Sequence, residues 1–319
     1  MPFMPQRALG TCSYESKLKK EIIDKGRCCL CGTCGAVCPK VKAGRRYNPL
    51  SKAALGDDGD GEACELCLET CPIHNHRVKE GLGDIVSLWR AKATDKSVLE
   101  RCQDGGACTA FLNSLEGLVG LTVGMDGWKP TPLLSSTIDS AGSKYGASSS
   151  VSMLPLRKDV AFVGLPCQIQ GIGLAQERGL LKEVKLKIGL FCTKNFHHDK
   201  FNDVLLHEGI DLNNVKKIDI KGKIRLTTLT GSEVSLPLSK FEDSVLGGCS
   251  YCKDYCSFFS DISFGSAGSE DGYTTVITRS KKADELFNMA LQKGFIIADK
   301  NIDTKEISLM QEKKREQNG

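Results

Sequence analysis

The chain has 319 residues, 40% hydrophobic and 26% charged, the balance of a soluble globular protein of one to three domains. Its formal charge of +4 is too modest to argue for nucleic acid, although it suits a small anionic substrate or an acidic partner. No apolar run approaches the ~18 residues that a membrane helix needs, and the opening Met-Pro-Phe-Met-Pro-Gln-Arg has no signal-peptide pattern. The sixteen cysteines therefore read as reduced, metal-binding thiols of a cytoplasmic protein rather than as a disulfide framework.

Residues 1 to about 25 form a leader with one helical piece, Tyr14 to Lys25, and Cys12 in it reads as a spare thiol. Cys28, Cys31, Cys34 and Cys38 then follow at the spacing C-x2-C-x2-C-x3-C, with Pro39 directly after. This is the bacterial-ferredoxin run for a [4Fe–4S] cluster. The small residues Gly32, Thr33, Gly35 and Ala36 let the backbone wrap closely around it. Zinc also takes four cysteines, but it prefers two separated C-x2-C pairs and has no use for the Cys-Pro ending.

A linker rich in Gly and Asp (Gly56 to Gly61) leads to Cys64, Cys67, Cys71 and Pro72, which repeat the tail of the first run. The repeat implies a two-cluster module in which each run's last cysteine crosses to the other cluster. Cluster one would use Cys28, Cys31, Cys34 and Cys71, and cluster two Cys38, Cys64 and Cys67. Gly61 stands where the fourth ligand of cluster two belongs. That leaves a [3Fe–4S] cluster, a ligand borrowed from Cys29, Cys12 or elsewhere, or no second cluster. His74 and His76 read as solvated loop residues.

From Asp84 the composition changes, and Ile85 to Ala91 reads as a strand, placing a boundary near residue 83. Gly105-Gly106 opens a helix, whose unpaired N–H groups would suit a phosphate or a flavin carbonyl. Cys102 and Cys108 read as packing thiols. Val119 to Gly124 is strand-like, and the small, polar stretch Ser140 to Ser150 is either a surface loop or a place where a cofactor approaches the backbone.

Lys158 to Gly164 is a buried strand ending in Gly-Leu-Pro-Cys167 and followed by a helix; Val184 to Cys192 is a second strand ending on a cysteine. Strands alternating with helices argue for an α/β unit with a parallel sheet, where ligands collect at the carboxyl ends of the strands. The GxGxxG fingerprint is absent, so a nicotinamide dinucleotide site is not inferred. Residues 215 to 239 alternate strictly and read as antiparallel hairpins. Cys249 and Cys252 add another C-x2-C; with Cys167 and Cys192 they could hold a cluster, with a structural zinc as the alternative. Ser260 to Arg279 is a glycine-rich loop running into a strand, able to close on a planar or phosphorylated ligand. An amphipathic helix (Ala283 to Lys293), a strand at Phe295 to Ala298 and a charged, fraying tail from Glu312 end the chain.

Gly164-Leu-Pro-Cys167-Gln168, Leu190-Phe-Cys192-Thr-Lys-Asn195-Phe196, and Cys249-x2-Cys252 through Arg279 together resemble the family of coenzyme F420-reducing hydrogenase beta subunits. Gln103 to Gly106, Trp128-Lys-Pro130 and Lys144-Tyr145 resemble its N-terminal part. The likeness covers roughly residues 84 to 319, and the preceding cysteine runs are similar to the module of the F subunit of the F420 dehydrogenase. Formate dehydrogenase beta subunits, the front half of F420-dependent sulfite reductase and chlorophyll-type flavin/iron–sulfur reductases are similar too.

The resemblance implies a fold of mixed α+β and α/β character. A ferredoxin-like module would occupy 1–83, the N-terminal part of the core 84–157, and the FAD, F420 and iron–sulfur core 158–319. It implies FAD, [4Fe–4S] clusters and coenzyme F420 as substrate, with Cys167, Cys192, Cys249 and Cys252 as core-cluster ligands. Gln103, Asp104, Gly105, Gly106, Lys144, Tyr145, Pro166, Asn195, Gly265, Ser266, Gly268, Thr274 and Arg279 become candidate cofactor contacts, undivided between FAD and the deazaflavin. Arg279, Lys144 and Lys194 are candidates to steer its anionic tail. The expected activity is hydride exchange between coenzyme F420 and FAD, with single electrons passing through the clusters to a partner. That partner would be a membrane dehydrogenase, a hydrogenase or a heterodisulfide-reductase-type complex. A pigment-type reductase and a pure electron relay are the alternatives.

Overall fold

The computed structural model describes residues 17–38, 65–138 and 142–318. Cys12, Pro39, the 56–61 linker with Gly61, and Cys64 lie outside them.

In chain order, a π-helical turn (Lys19–Ile23) is followed by two short helices, α1 (Thr33–Val37) and α2 (Leu66–Glu69). Then come β1 (Ser87–Ala93), α3 (Lys96–Arg101), α4 (Ala107–Ser114), β2 (Val119–Asp126), β3 (Lys129–Ser135), β4 (Val160–Gly164), α5 (Pro166–Glu177) and β5 (Val184–Leu190). The chain continues through α6 (His198–His207), β6 (Val215–Lys221), β7 (Lys223–Thr228) and β8 (Glu233–Pro237). It ends with β9 (Ile262–Gly265), β10 (Thr274–Thr278), α7 (Lys281–Gln292), β11 (Ile296–Asp299) and α8 (Thr304–Gln317).

One eight-stranded sheet, ordered β11-β1-β10-β9-β5-β4-β2-β3, carries the fold. Its centre, β9-β5-β4-β2, is parallel, and antiparallel pairs flank it on both sides. The expected α/β unit is this parallel centre, so Cys167 and Cys192 follow the carboxyl ends of two adjacent strands. Segments 84–157 and 158–319 contribute strands to the same sheet.

The period of two along β4 explains the layering. Val160 and Phe162 face a core shared with Ile169, Ile172 and Ala175 of α5, whereas Ala161 and Val163 face α4 and α7. A strand covered on both faces must be apolar throughout, and every residue of β4 is buried. The expected hairpins at 215 to 239 form the separate antiparallel sheet β6-β7-β8, closed over α6 by Phe201, Leu205 and Phe241.

The described part of the expected N-terminal module packs into the α5-side core. Leu18, Ile22, Val37, Leu68 and Ile73 belong to one apolar cluster with Phe162 and Ile169. Backbones meet closely there. A Cβ on Gly171 of α5 would collide with Thr33 Oγ1, and one on Gly32 would lie 2.6 Å from Ser149 O.

The C-terminus departs from expectation. The tail from Glu312 is not frayed: it completes α8, and Gln311 and Lys314 are 1% and 4% exposed. Polar contacts hold this helix down, which an apolar periodicity cannot reveal.

Candidate functional site

Two groups of thiols come together around the start of α5. In the first, the Cys28–Cys34 loop wraps through two left-handed residues, Leu30 (φ 53°) and Gly32 (φ 90°). This turn lets the Leu30 N–H donate to Cys28 Sγ at 3.4 Å. Cys31 Sγ lies 3.4 Å from Thr33 Oγ1. Burial pushes the Cys28 and Cys71 thiols up to about 12, and the charges of Cys31 and Cys167 add to the push on both. Burial raises Cys34 as well, with Cys31, Cys28 and Cys71 contributing. Cys31 is drawn down, chiefly by a hydrogen bond with the Cys29 thiol. Cys28, Cys31, Cys34 and Cys71 thus share one neighbourhood. Cys38 and Cys67 are buried nearby, 7% and 3% exposed, in the same apolar cluster.

In the second group, Cys167 lies in the first turn of α5, Cys192 follows β5, Cys249 lies within a 3-10 turn at Gly247–Tyr251, and Cys252 directly follows that turn. Distant segments therefore bring their thiols together. Burial raises Cys192 and Cys252 and pushes Cys249 up to about 11. Charge on Cys167 adds to the rise at all three, and the Lys314 ammonium opposes it. The Asn195 N–H donates to Cys249 Sγ at 3.3 Å. None of Cys28, Cys31, Cys34, Cys71, Cys167, Cys192, Cys249 and Cys252 is in a disulfide.

Cys167 belongs to both neighbourhoods, and Cys29 bonds to the thiols of both Cys167 and Cys31. The backbones meet here too: the Gly248 N–H donates to Cys28 O at 3.3 Å, and a Cβ on Gly248 would lie 2.7 Å from Cys29 Cβ. Among the described residues, no three His, Cys, Asp or Glu side chains converge on the position of a single metal ion. That is compatible with charge coupling within each group, because a multi-iron cluster is larger than one ion and holds its thiolates farther apart.

The cofactor candidates separate into three places. Tyr145 Oη donates to Gln103 and accepts from the Ile220 N–H at 3.0 Å, while Lys221 bridges Asp104 and Asp271 at 2.6 Å each. Burial pushes the Tyr145 hydroxyl up to about 12. Gly106 (φ 67°) stands at the start of α4 without any side-chain cap, and the Lys144 ammonium acts on Cys108 in the first turn. Burial brings Lys144 down to about 8, and its Nζ donates to Gly142 O at 2.6 Å. Gly105 is required by packing, since a Cβ there would lie 2.5 Å from Ala91 O and 2.8 Å from the N of Thr274.

Pro166 and Asn195 lie instead at the core thiols, one residue before Cys167 and three after Cys192. In the glycine-rich loop, the Phe191 ring fills the space beside Gly265, and Ile307 of α8 that beside Gly268 (2.6 Å to an added Cβ). Ser266 is exposed. The expectation that Arg279 is a cation at the mouth of the site is not met. Arg279 is 8% exposed and donates to Leu82 O (2.7 Å), Asp84 O (2.8 Å) and Cys256 O (3.0 Å). Lys194 is exposed.

Two residues were missed in the sequence. His76 is not a solvated loop residue: it accepts from the Lys253 N–H at 2.8 Å and meets Gln170 Oε1 at 3.1 Å. His74, by contrast, is exposed, 3.4 Å from Glu21. Lys314 is the other, and the only available sign was the spacing of Gln311, Lys314 and Asn318 along one helical face.

Two family descriptions match the chain, both for the beta subunit of coenzyme F420 hydrogenase/dehydrogenase: its N-terminal part over 88–155 and its C-terminal part over 157–304. The chain belongs to the family of coenzyme F420 hydrogenase/dehydrogenase beta subunits. An uncharacterised protein of Methanocaldococcus jannaschii is 33% identical over 95% of this chain and 97% of its own length. The coenzyme F420-dependent sulfite reductase of the same organism is 33% identical over 96% of this chain, which spans only 53% of that protein. The F subunit of the F(420)H(2) dehydrogenase of Methanosarcina mazei is 29% identical over 93% of this chain and 92% of its own length. Among solved structures, a chain of the F420-reducing [NiFe] hydrogenase complex from Methanosarcina barkeri superposes with a TM-score of 0.70. That match has 29% identity and covers 76% of this chain and 92% of the other. The core of this family therefore has the mixed α/β architecture described above. No described helix is long and apolar enough to cross a membrane.

Proposed function

We propose that this beta-subunit-family chain is a flavin and iron–sulfur oxidoreductase that exchanges a hydride with coenzyme F420 and passes electrons singly to a partner complex. The observation that carries this reading is the close contact between the two cysteine-bearing segments, where the Gly248 N–H donates to Cys28 O at 3.3 Å and a Cβ on Gly248 would lie 2.7 Å from Cys29 Cβ. Relatives named for coenzyme F420 support the choice of substrate.

Bound FAD would supply the conversion between a two-electron hydride and one-electron carriers. Cys28, Cys31, Cys34 and Cys71 would hold one cluster, and Cys167, Cys192, Cys249 and Cys252 another. Cys38, Cys67 and Cys64 would contribute to a third. Their donor chemistry fits, since thiolates are the usual ligands of such clusters. The uncapped start of α4 and the Lys144 ammonium suit the pyrophosphate of FAD. The Gln103–Tyr145 pair, tied to Ile220, holds β6 against this region. No strong acid or base is required of the chain, which must orient two rings and exclude water. The electron-accepting partner would be a dehydrogenase, hydrogenase or heterodisulfide-reductase-type assembly, and membrane docking would occur through such a partner.

Anaerobic mixing of the iron-reconstituted protein with reduced coenzyme F420 tests this reading. The flavin should bleach near ~450 nm, with about 12 Fe per chain for three four-iron clusters, or about 11 if the second N-terminal cluster is a [3Fe–4S]. Bound FAD that the coenzyme cannot reduce would favour a pigment-type reductase, and a flavin-free protein an electron relay.

A further inference from the structure

The last helix carries a buried cation that the proposed chemistry has not used. Lys314 is 4% exposed, and its Nζ donates to Cys192 O and, at 2.8 Å, to Asp254 O. Its neighbours on the same face of α8 do related work. Gln311 Nε2 donates to Lys253 O at 2.7 Å, Gln311 Oε1 accepts from the Tyr255 N–H at 2.9 Å, and Asn318 Nδ2 donates to Cys252 O at 2.7 Å. One helical face therefore grips the backbone on both sides of the core thiols. The α8 helix starts at Thr304, where the matched family segment ends, so Lys314 lies beyond that segment.

Gln311 and Asn318 are neutral, and carbonyls satisfy the donors of Lys314 without cancelling its charge. An ammonium removed from water is costly unless negative charge faces it. The groups that face this one are Cys252, Cys192, Asp254 and Cys249. The Asp254 carboxylate is itself engaged by the Phe258 N–H at 3.0 Å. That neutral donor leaves the carboxylate's charge in place, so Asp254 and the thiols share the field of the ammonium.

We infer that Lys314 is a potential-setting residue, whose fixed charge stabilises the electron-richer state of the cluster held by Cys167, Cys192, Cys249 and Cys252. The inference rests on the iron–sulfur reading of those four thiols. An iron–sulfur cluster gains negative charge on reduction, and its potential follows local charge, hydrogen bonding and exposure. A cation in a low-dielectric site favours the reduced form far more than one in water would. The core cluster would then sit higher in potential and accept single electrons more readily.

The test is an electron paramagnetic resonance redox titration of the full-length, iron-reconstituted protein. The core signal is assigned by its loss in Cys249→Ala. Lys314→Gln, which keeps a donor but loses the charge, should shift the one-electron reduction equilibrium at least tenfold toward the oxidised form. That is a midpoint lower by ~59 mV. Asn318→Ala, which loosens the same helical grip without touching charge, should leave the midpoint in place. An unmoved midpoint in Lys314→Gln, or an equal shift in Asn318→Ala, overturns the inference. If Lys314→Gln fails to retain core iron, Lys314→Arg decides: retention with the wild-type midpoint supports a charge role, and loss there overturns it. Absence of a core signal from the wild-type protein would instead sink the cluster assignment.

Discussion

The backbone N–H of Lys253 donates to Nε2 of His76 at 2.8 Å, joining the residue after Cys252 to the segment that follows Cys71. With Nε2 accepting, the ring proton sits on Nδ1, which donates to Gln170 Oε1 at 3.1 Å. This histidine therefore adds a second link between the two thiol-bearing regions, beside the Gly248–Cys28 hydrogen bond. His76→Ala leaves the Lys253 donor and the Gln170 acceptor without this partner, at a cost of about 1–3 kcal/mol. Urea denaturation should show that loss, and electron transfer between the clusters should slow.

The same contact predicts a pH dependence. Burial lowers the His76 pKa from its ordinary 6.5, with the Lys314 and Lys253 charges adding to it, and the neutral ring is the form that accepts from the Lys253 N–H. Between that ordinary value and the lower folded value, the unfolded chain binds more protons. Stability from His76 is therefore fully present above pH ~6.5 and falls as pH drops through this window. His76→Gln should flatten this part of the profile in thermal melts between neutral and mildly acid pH.

Gly171→Ala should weaken the seating of α1 on α5, because the new methyl would strike Thr33, which is 1% exposed. Overpacking of this kind costs about 1–3 kcal/mol. Adding Thr33→Ala should recover part of it, and a double-mutant cycle would show the coupling. Additive losses would mean that the contact is not tight in solution.

Substituting single ligands should separate the clusters. Cys249→Ala should remove about four Fe from the core, and Cys34→Ala about four from the N-terminal group. Iron analysis and resonance spectra of each variant check this. Loss of all iron in either variant would mean that the clusters assemble only together.

Tyr145→Phe removes the hydroxyl that ties Gln103 to Ile220. The cost to stability should be about 1 kcal/mol or somewhat more. Bound flavin should also fall, read by its absorbance after gel filtration. Wild-type flavin content with the stability loss intact would confine this pair to structure.

The cysteine pattern was legible in order along the chain, because its spacings are local. The C-x2-C-x2-C-x3-C-P run, its partial repeat, and cysteines ending two apolar strands all follow from short spacings and period-two burial. The parallel centre of the sheet and the hairpins at 215 to 239 were legible for the same reason. By itself, the sequence determined the cysteine spacings, the alternation of strands and helices, and the family likeness.

Only the tertiary structure decided which groups meet. It joined Cys167 to both thiol neighbourhoods, turned Arg279 inward onto three carbonyls, and filled the spaces beside Gly265 and Gly268 with Phe191 and Ile307. It also turned a charged tail into the helix that carries Lys314 to the core cysteines. The partners of a buried polar group are backbone atoms distant in sequence. Carbonyls and amides are the same at every residue, so no composition or periodicity marks which of them a lysine or histidine will find.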